Sequence, residues 1–454
     1  MISKSIKKQK TQFVCTSCGF MSIRWLGKCP ECNSWNSLQE EFVISKDAAK
    51  KSEAVASSAP LLQDIKTEST YRIETGIEEF DRVLGGGIIP GSIILLAGDP
   101  GIGKSTLVLQ AAAALKSTVL YVSGEESSEQ IKMRFDRLNL SSSTLHFLPE
   151  TELNIITSTI DTIRPTLVIV DSIQTIYSDE LQNTPGSITQ LRECTASLME
   201  LAKKQNVCII IIGHITKEGM IAGPKILEHI VDTVIMFEGE SSHYYRILRA
   251  QKNRFGSVNE IGVFEMSEHG LKQVVNPSEL FLRERKTNIP GSAITSSMEG
   301  ARPLLIEVQA LVTPSHFGNP QRVANGIDYR RLSILLAVIE KRNNQRLSAA
   351  NVFLNITGGL KIDEPAIDLP VCCSVVSSFL DKLIDPKLII TGEVGLGGEI
   401  RSISNIEKRI AESEKLGFEK IIVPASNLKS YKHNGSIKVI GVDHLYQAIE
   451  HALI

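Results

Sequence analysis

The chain has 454 residues, which is too long for one ordinary core and predicts roughly three domains. Apolar residues make up 42% and charged residues 22%, and the formal net charge is -2. Because no stretch approaches the ~20 apolar residues of a membrane span, we expect no membrane protein. Near-neutral charge excludes a protein that is basic throughout, but leaves open a local cationic channel for nucleic acid. The N-terminus does not resemble a secretory signal, so we expect a cytoplasmic protein.

Four of the eight cysteines fall near the N-terminus as two Cys-x-x-Cys pairs, ten residues apart. Two such pairs bring four thiolates to one tetrahedral centre, and in a reducing cytosol they predict a Zn²⁺ site rather than disulfides. We therefore expect residues 1–45 to form a zinc ribbon, with the metal supplying most of its stability. The predicted ligands are Cys15, Cys18, Cys29 and Cys32.

Other residues of the ribbon and the other four cysteines carry weaker signals. Arg24, Trp25 and Lys28 lie between the pairs and are candidates for contact with DNA or a partner protein, while Trp25 has the alternative of covering the small core. The later cysteines have apolar neighbours, which predicts small buried hydrophobes. They are Cys194, Cys208, Cys372 and Cys373.

A stretch rich in Lys, Ser and Ala predicts a linker over residues 46–68. In residues 69–275, apolar runs of strand length alternate with segments of helical spacing. Near-continuous apolar strands are typical of a parallel sheet buried on both faces, so the predicted fold class is α/β, doubly wound. The predicted strands are SIILLAG, TVLYVSG, PTLVIVD, VCIIIIGH and DTVIMFE, and two of the predicted helices are KSTLVLQAAAAL and SSEQIKMRFDRL.

The segment directly after SIILLA matches G-x-x-x-x-G-K-[ST] and opens a helix, which is the context that a phosphate-binding loop, or P-loop, requires. Its glycines let backbone amides surround the β-phosphate of ATP, and the helix N-terminus adds partial positive charge. Lys104 is predicted to bridge the β- and γ-phosphates, and Ser105 to ligate Mg²⁺. The predicted nucleotide-binding residues are Gly98, Asp99, Pro100, Gly101, Ile102, Gly103, Lys104, Ser105 and Thr106, together with Asp171.

Carboxylates follow two of the predicted strands. Asp171 ends LVIVD, where a strand-end acid beside a P-loop holds the water shell of the metal. Glu125 and Glu126 follow TVLYVSG, and either is a candidate for the base that orients and polarises the attacking water. The alternatives are a solvated acid for Asp171 and ordinary helix-dipole partners for the two glutamates.

Together with the P-loop, the glutamate pair and LVIVDSIQ, the block Lys252-Asn253-Arg254-Phe255-Gly256 resembles the RadA/Sms family, bacterial recombination proteins with a RecA-like motor. The resemblance covers nearly the whole chain. It implies an ATP-dependent motor that forms a homo-oligomeric ring, a hexamer, binds single-stranded and branched DNA, works with a recombinase and drives branch migration. In RecA-like rings the nucleotide lies between subunits, so Lys252 and Arg254 would act as fingers toward the neighbour's γ-phosphate. Their spacing alone also fits a solvated face.

Two long polar connections follow the predicted strands, from Gln174 to about Arg192 and from Gly213 to about Glu228. By resemblance to RecA-like rings they line the central hole and touch DNA. Lys217, Lys225 and Arg192 would supply charge there. His214, which ends VCIIIIGH, resembles the polar sensor that such motors place near the γ-phosphate, with a packing role as its alternative.

Residues 280–454 resemble the proteolytic domain of Lon-type proteases, in DEPAIDLPVCCSVVSSFL and TGEVGLGGEIRSISNIEKRI. The resemblance places Ala366 at the position of the protease's nucleophilic serine and Glu407 at the position of its lysine. Lys408 is one residue further on, and on a helix this shift turns its side chain ~100° away from the position of the protease lysine. Without that pair no acyl-enzyme forms, so we expect a scaffold that is not a protease. Basic residues that would serve ring assembly or DNA contact, or form a solvated face, are Arg302, Arg322, Arg330, Arg331, Lys341, Arg342 and Arg346.

The leading hypothesis is a DNA-dependent ATPase with a RecA-like core between a zinc ribbon and a Lon-like domain, using ATP, Mg²⁺ and Zn²⁺. Lys104, Glu125, Glu126, Lys252 and Arg254 are its predicted catalytic residues. The alternatives are a RecA-like signalling ATPase without DNA coupling, an ATP-dependent protease, and a binding scaffold whose ATP site only switches shape.

Overall fold

The structure is a computed structural model, and it describes residues 10–15, 20–31, 33–43, 61, 71–214, 227–239, 245–283, 285–315, 320–343, 345–429, 431 and 435–454. The chain divides into two compact units. The first holds residues 1–238, 246–258 and 264–273, and the second holds 239–245, 259–263 and 274–454. Apart from residue 61, the predicted linker lies outside the described residues. Among the described helices, none combines the length and apolar character needed to cross a bilayer.

Three short antiparallel strands form the N-terminal ribbon: β1 Lys10–Cys15, β2 Met21–Ser22 and β3 Leu38–Val43. β1 lies between the other two. Cys15 ends β1, and it packs with Cys29 and Leu38 in one small buried cluster. Around Cys29 the chain turns tightly, because the Cys29 carbonyl accepts from the amide of Asn33 at 3.0 Å. The two described cysteines of the predicted site are therefore brought together.

A nine-stranded sheet forms the core of the first unit, in the order β12-β11-β10-β9-β4-β8-β7-β5-β6. Each neighbouring pair from β9 to β6 is parallel. β10 is antiparallel to β9, and β12 is antiparallel to β11. The strands are β4 Ile93–Gly98, β5 Val119–Ser123, β6 Leu145–Leu148, β7 Leu167–Asp171, β8 Cys208–His214, β9 Thr233–Glu238, β10 Tyr245–Asn253, β11 Ile261–Ser267 and β12 Gly270–Gln273.

Side chains of the central strand alternate between two buried layers, because successive residues of a strand face opposite sides. Ile94 and Leu96 join the core on one side, and Ile93 and Leu95 join the core on the other. Both faces are covered, so the predicted doubly wound α/β fold is confirmed. The helices of this unit are α1 Glu78–Leu84, α2 Lys104–Ala114, α3 Ser128–Arg137, α4 Leu153–Ile163 and α5 Ile188–Gln205.

The second unit is built on a seven-stranded mixed sheet in the order β15-β16-β14-β13-β17-β20-β21, with a separate β18-β19 pair. The strands are β13 Ser292–Glu299, β14 Arg302–Pro314, β15 Arg322–Asn325, β16 Ala350–Ile356, β17 Leu388–Ile390, β18 Glu393–Val394, β19 Ile400–Arg401, β20 Lys420–Pro424 and β21 Lys438–Val442. The helices are α6 Pro277–Leu282, α7 Tyr329–Asn343, α8 Asp368–Leu380, α9 Ile406–Lys415 and α10 Leu445–Ala452.

One apolar run of this unit is interrupted in the structure. The apolar run KLIITGEV reads as one strand, but the structure divides it into β17 and β18. At Gly392 the chain leaves the large sheet, because the Gly392 amide donates to the Ala366 carbonyl at 2.8 Å instead of to a strand. Apolar composition does not reveal this change of partner.

Candidate nucleotide-binding site

Four parallel strands end side by side at one edge of the large sheet. Gly98 at the end of β4 lies opposite His214 at the end of β8. Two strands further on, Asp171 at the end of β7 lies opposite Ser123 at the end of β5. The predicted P-loop, sensor and acids are therefore gathered at the carboxyl edge, where ligands bind in open α/β sheets.

The loop after β4 has a backbone that its glycines make possible. Gly101 and Gly103 have φ values of 76° and 115°, a region that other residues rarely adopt. A Cβ on Gly103 would also lie 3.0 Å from the Met266 side chain. Lys104 opens α2 directly after Gly103, so the first amides of the helix face the turn of the loop. This is the geometry in which backbone amides bind phosphate oxygens.

Lys104 is almost fully buried, with 3% of its surface exposed. Its ammonium donates to the carbonyl oxygens of Gly98 and Asp99, at 2.8 and 2.9 Å. Burial lowers the pKa of Lys104 to about 8, against the opposing effect of the nearby Asp171, Asp99 and Glu125 carboxylates. At neutral pH the side chain therefore carries its charge inside the loop, and an anionic ligand there would further favour the charged form.

Asp171 is buried, and its carboxylate accepts a hydrogen bond from the Tyr121 hydroxyl at 2.6 Å. Burial, followed by the charge of Asp171, raises the pKa of Tyr121 well above its ordinary value, so the phenol stays a donor. The next strand comes close here, because the Gly124 amide donates to the Asp171 carbonyl at 3.2 Å. A Cβ on Gly124 would lie 2.3 Å from the Thr175 hydroxyl oxygen, so only glycine fits.

The structure separates the two glutamates that the sequence leaves equivalent. Glu126 forms an ion pair with Arg134 of α3, and both side chains are mostly buried. Glu125 instead accepts a hydrogen bond from the Ser172 hydroxyl, and its carboxylate lies 3.7 Å from the His214 Nε2 atom. The Glu125 side chain remains 42% exposed. Glu125 is thus the acid that stands open beside Lys104, His214 and Asp171.

His214 lies next to the P-loop, as predicted. Burial, followed by the charge of Lys104, lowers the pKa of His214 from its ordinary value, which favours the neutral imidazole. Its Nδ1 atom and the Oε1 atom of Gln174 are buried and find no hydrogen-bond partner within the described part of the chain. Because buried polar atoms are normally paired, these two atoms fit a polar ligand at the carboxyl edge.

Several residues of this site belong to no sequence motif and were not predicted. Tyr121, Ser172 and Arg134 hold the acids, but their roles depend on strand pairing and on the position of α3. Arg246 is 7% exposed, and its Nε atom donates to the Ile102 carbonyl of the P-loop at 3.3 Å. It enters from β10, which the sequence does not mark as a neighbour of the loop.

The block Lys252 to Gly256 lies at the other end of the sheet. Asn253 pairs with Thr233, and Thr233 pairs with Ile94, four residues before Gly98. At ~3.3 Å per residue the block is therefore at least ~13 Å from the P-loop of its own chain. The Lys252 ammonium donates to the carbonyls of Glu228 and Val231, at 2.6 and 2.8 Å.

The Arg254 side chain is bound to a carboxylate on one side and exposed to solvent on the other. Its Nη1 atom lies 3.1 Å from an Asp232 carboxylate oxygen, while 51% of the Arg254 side chain is exposed. The amide of Arg254 also donates to the Asp232 carbonyl at 3.2 Å. Of the two predicted fingers, Arg254 is the more exposed.

The predicted DNA-contacting connections are only partly described. Lys217 and Lys225 lie outside the described residues. The connection predicted from Gln174 to about Arg192 is wrong at its C-terminal end, because α5 begins at Ile188. Arg192 therefore lies on a helix. At the start of the connection, a 3₁₀ turn spans Ile173–Thr175. The Ser187 hydroxyl accepts a hydrogen bond from the Gln190 amide and so caps the N-terminus of α5. The polar residues around this N-cap resemble a loop, so the sequence did not reveal the start of the helix.

In the ribbon, Cys15 and Cys29 are fully buried, whereas Cys18 and Cys32 lie outside the described residues. The two described thiols in one cluster fit a shared metal centre. Trp25 is 54% exposed and so does not cover the core. The four later cysteines are buried as predicted, and burial raises the pKa of Cys194 to about 11 and that of Cys208 to about 12.

In the second unit, Ala366, which the Lon-type resemblance places at the protease serine, is buried. Glu407 is exposed, and the Lys408 ammonium donates to the Ala301 carbonyl at 3.2 Å. Arg409 is fully buried and forms an ion pair with Glu364. Of the basic residues predicted to face solvent or DNA, Arg331 instead pairs with the buried Asp368.

The parallel sheet, its P-loop and the acids at its carboxyl edge define a RecA-like P-loop ATPase. Family models match the chain in three places: an AAA domain at residues 59–220, a rubredoxin metal binding domain at 13–40, and subunit ChlI of Mg-chelatase at 329–427. The AAA match includes the P-loop, Glu125, Glu126 and Asp171. The fold is therefore an α/β ATPase core with an N-terminal metal ribbon and a Lon- or ChlI-like C-terminal domain.

Several relatives match nearly the whole chain. It is 51% identical to the DNA repair protein RadA of Halalkalibacterium halodurans, over 98% of both chains. It is 50% identical to the proteins of that name from Bacillus subtilis and Listeria monocytogenes, over 98% of this chain and 99% of theirs. The chain belongs to the RadA/Sms family of bacterial DNA repair proteins, and it is an ATP hydrolase.

Proposed function

We propose that this protein is a DNA-dependent ATPase that assembles as a hexameric ring in the bacterial cytoplasm and moves single-stranded and branched DNA by branch migration, together with a recombinase. The observation that carries the proposal is the position of Arg254. It belongs to the block that marks the family, yet it lies at the opposite end of the sheet from its own P-loop. A phosphate contact for Arg254 therefore requires a second copy of the chain.

At the P-loop, backbone amides of Gly101 to Ser105 hold the β-phosphate, and Lys104 turns its ammonium from the Gly98 and Asp99 carbonyls to the β- and γ-phosphates. Bound Mg²⁺ would neutralise charge on the phosphate oxygens. Ser105 and Asp171 are the residues that would hold it, directly and through water. Tyr121 fixes the orientation of the Asp171 carboxylate for this role.

Glu125 is the base in this proposal. Its carboxylate is oriented by the Ser172 hydroxyl and is open to solvent, so it can accept a proton from a water that attacks the γ-phosphorus. The bond between the γ-phosphorus and the bridging oxygen then breaks, and ADP and phosphate leave. Glu126 keeps its pair with Arg134 and shapes the strand end.

Arg254 and Lys252 of the neighbouring subunit supply positive charge to the γ-phosphate as the bond breaks. Arg254 needs no rearrangement to be accessible, whereas Lys252 must exchange two carbonyl partners for phosphate. His214, beside Glu125 and Gly98, reports the state of the phosphate to the connection that follows β8. That connection, with Lys217 and Lys225, is our proposed contact to DNA.

The flanking parts have supporting roles in this proposal. Cys15, Cys18, Cys29 and Cys32 hold Zn²⁺, and the exposed Trp25, with Arg24 and Lys28, offers a recognition surface. The C-terminal unit is a scaffold without protease activity. Ala366 has no nucleophile, and Lys408 is bound to the Ala301 carbonyl.

The deciding experiment measures ATP turnover of the full-length protein with and without single-stranded DNA. It compares wild type with Lys252→Ala, with Arg254→Ala and with the control Arg249→Ala, a residue of β10 like Lys252. We expect DNA to stimulate wild type and the control, and both finger variants to lose at least about tenfold in kcat. DNA affinity should fall steeply with salt. An ATP turnover rate that DNA does not change would favour a signalling ATPase. ATP-dependent cleavage of an unfolded protein would favour a protease.

A further inference from the structure

Asp232 lies just before β9, at the end of the sheet that faces away from the P-loop. Only 3% of its surface is exposed, which is unusual for a carboxylate unless a partner is present. Two groups meet it there. One carboxylate oxygen lies 3.1 Å from the Arg254 Nη1 atom, and the other accepts from the Ile93 amide at 3.2 Å.

The backbone of Asp232 repeats both contacts. Its amide donates to the Ile93 carbonyl at 3.1 Å, and its carbonyl accepts from the Arg254 amide at 3.2 Å. Asp232 therefore joins the first residue of β4 to Arg254, the residue directly after β10. β4 ends in the P-loop of the same chain, so one buried acid connects the two elements that the proposed mechanism assigns to two neighbouring ATP sites.

Asp232 contacts Arg254 through its backbone carbonyl and through its carboxylate, and the two contacts have different effects. The backbone bond fixes where the Arg254 main chain lies, whereas the carboxylate fixes the direction of the guanidinium. An arginine side chain has several rotatable bonds, and a catalytic group has to be held within about 0.5 Å to act well. A charge-assisted bond at one edge restricts these rotamers while half of the side chain stays accessible.

We propose that Asp232 is a positioning residue for ATP hydrolysis, which holds the Arg254 guanidinium in the direction of the neighbouring subunit's γ-phosphate. This inference rests on the proposed function, in which Arg254 acts across the subunit boundary. It assigns a task to the Asp232 side chain beyond its structural bonds to β4. Loss of that task lowers kcat and leaves nucleotide binding intact, because the P-loop residues are unchanged.

The test compares Asp232→Asn with Arg254→Ala and with the double variant, in full-length protein with Mg-ATP and single-stranded DNA. Asparagine still accepts from the Ile93 amide but carries no charge. We expect Asp232→Asn to lower kcat about tenfold to a hundredfold, with the KM for ATP unchanged within twofold. In the double variant, kcat should equal that of Arg254→Ala alone, because a positioning residue has no effect without the group it positions.

The control is Asp136→Asn, which breaks an exposed pair with Lys132 of α3 and should leave kcat unchanged. If Asp232→Asn does not fold, Asp232→Glu keeps the charge but displaces the guanidinium, and we expect at least a fivefold loss in kcat. Wild-type kcat in a folded Asp232 variant, or losses that multiply in the double variant, would overturn the inference. Full turnover in Arg254→Ala would instead overturn the proposed finger itself.

Discussion

At the scale of single residues, two adjacent glutamates differ in their chemistry because of what touches them. Glu126 is paired with Arg134, and Glu125 is oriented by Ser172 and left open. Removing the charge of Glu125 should therefore remove the base, whereas removing that of Glu126 should weaken a structural pair. We predict that Glu125→Gln lowers kcat by about 10² to 10⁴, and that Glu126→Gln has a clearly smaller effect.

Steady-state ATP turnover at saturating Mg-ATP and DNA checks this difference. The two variants control for each other, since they remove the same charge at neighbouring positions. Equal nucleotide affinity in both would show that the P-loop is intact. A larger loss of kcat in Glu126→Gln than in Glu125→Gln would reverse the assignment of the base.

Cysteine reactivity gives a second prediction at this scale. Burial raises the pKa of Cys194, Cys208, Cys372 and Cys373, so these thiols are both protonated and shielded. The proposed metal ligands are thiolates, and removal of the metal should open the ribbon around them, because the metal supplies most of its stability. After a chelator is added at pH 8, we expect rapid alkylation of the four ribbon cysteines. We expect all eight cysteines to react only in denaturant.

Mass spectrometry of the alkylated protein counts the modified thiols, and zinc released to a colorimetric reagent measures the metal. Protein without chelator is the control and should react slowly throughout. Fast labelling of the later cysteines in native protein would contradict their burial. Fast labelling of the ribbon without chelator would speak against a metal centre.

At the scale of elements, α9, the helix on which the Lon-type resemblance places the protease lysine, carries a buried ion pair. Arg409 of α9 is fully buried, and besides Glu364 it donates to the Ser296 and Ser404 carbonyls. Glu364 in turn accepts from the Met298 amide at 2.7 Å, so the pair joins α9 to β13. We predict that Arg409→Ala lowers the free energy of unfolding of this unit by about 3–5 kcal/mol, because it leaves a carboxylate unpaired.

Arg401→Ala is the matched control. Its guanidinium pairs with Glu399 at 2.8 Å, but 57% of the Arg401 side chain is exposed, so we expect a loss below about 1 kcal/mol. Urea dependence of hydrogen exchange in peptides from β13 measures both variants in the full chain. Equal losses would mean that burial does not distinguish the two pairs.

The strands that sequence reasoning located best are those whose signal is local. SIILLAG, LVIVD and VCIIIIGH are continuous apolar runs, and the P-loop carries its own spacing, so β4, β7 and β8 were predicted with their site residues. β10 was not predicted, because its alternation of buried and partly buried residues is a weaker pattern than a continuous apolar run. The difference between Glu125 and Glu126 also escaped, since it depends on the contacts of Ser172 and Arg134 across the fold.

At the scale of the whole molecule, the distance between P-loop and finger block has a consequence for assemblies of mixed variants. A working site would take its Lys104 from one chain and its Arg254 from the next. Lys104→Ala and Arg254→Ala should each be nearly inactive alone, yet a mixture should contain interfaces with both residues intact. With equal amounts and random order in a closed ring, about a quarter of the interfaces would be intact, so we predict about a quarter of wild-type ATP turnover.

Turnover is measured after the two proteins have been mixed under conditions that allow subunit exchange, and again in mixtures of each variant with itself. A double variant, Lys104→Ala with Arg254→Ala, mixed with the Lys104→Ala protein should remain inactive, because neither chain then supplies an intact P-loop. Recovery in that control would point to contamination. Failure to recover any activity in the main mixture, despite exchange, would mean that Arg254 does not complete the ATP site of a neighbouring chain.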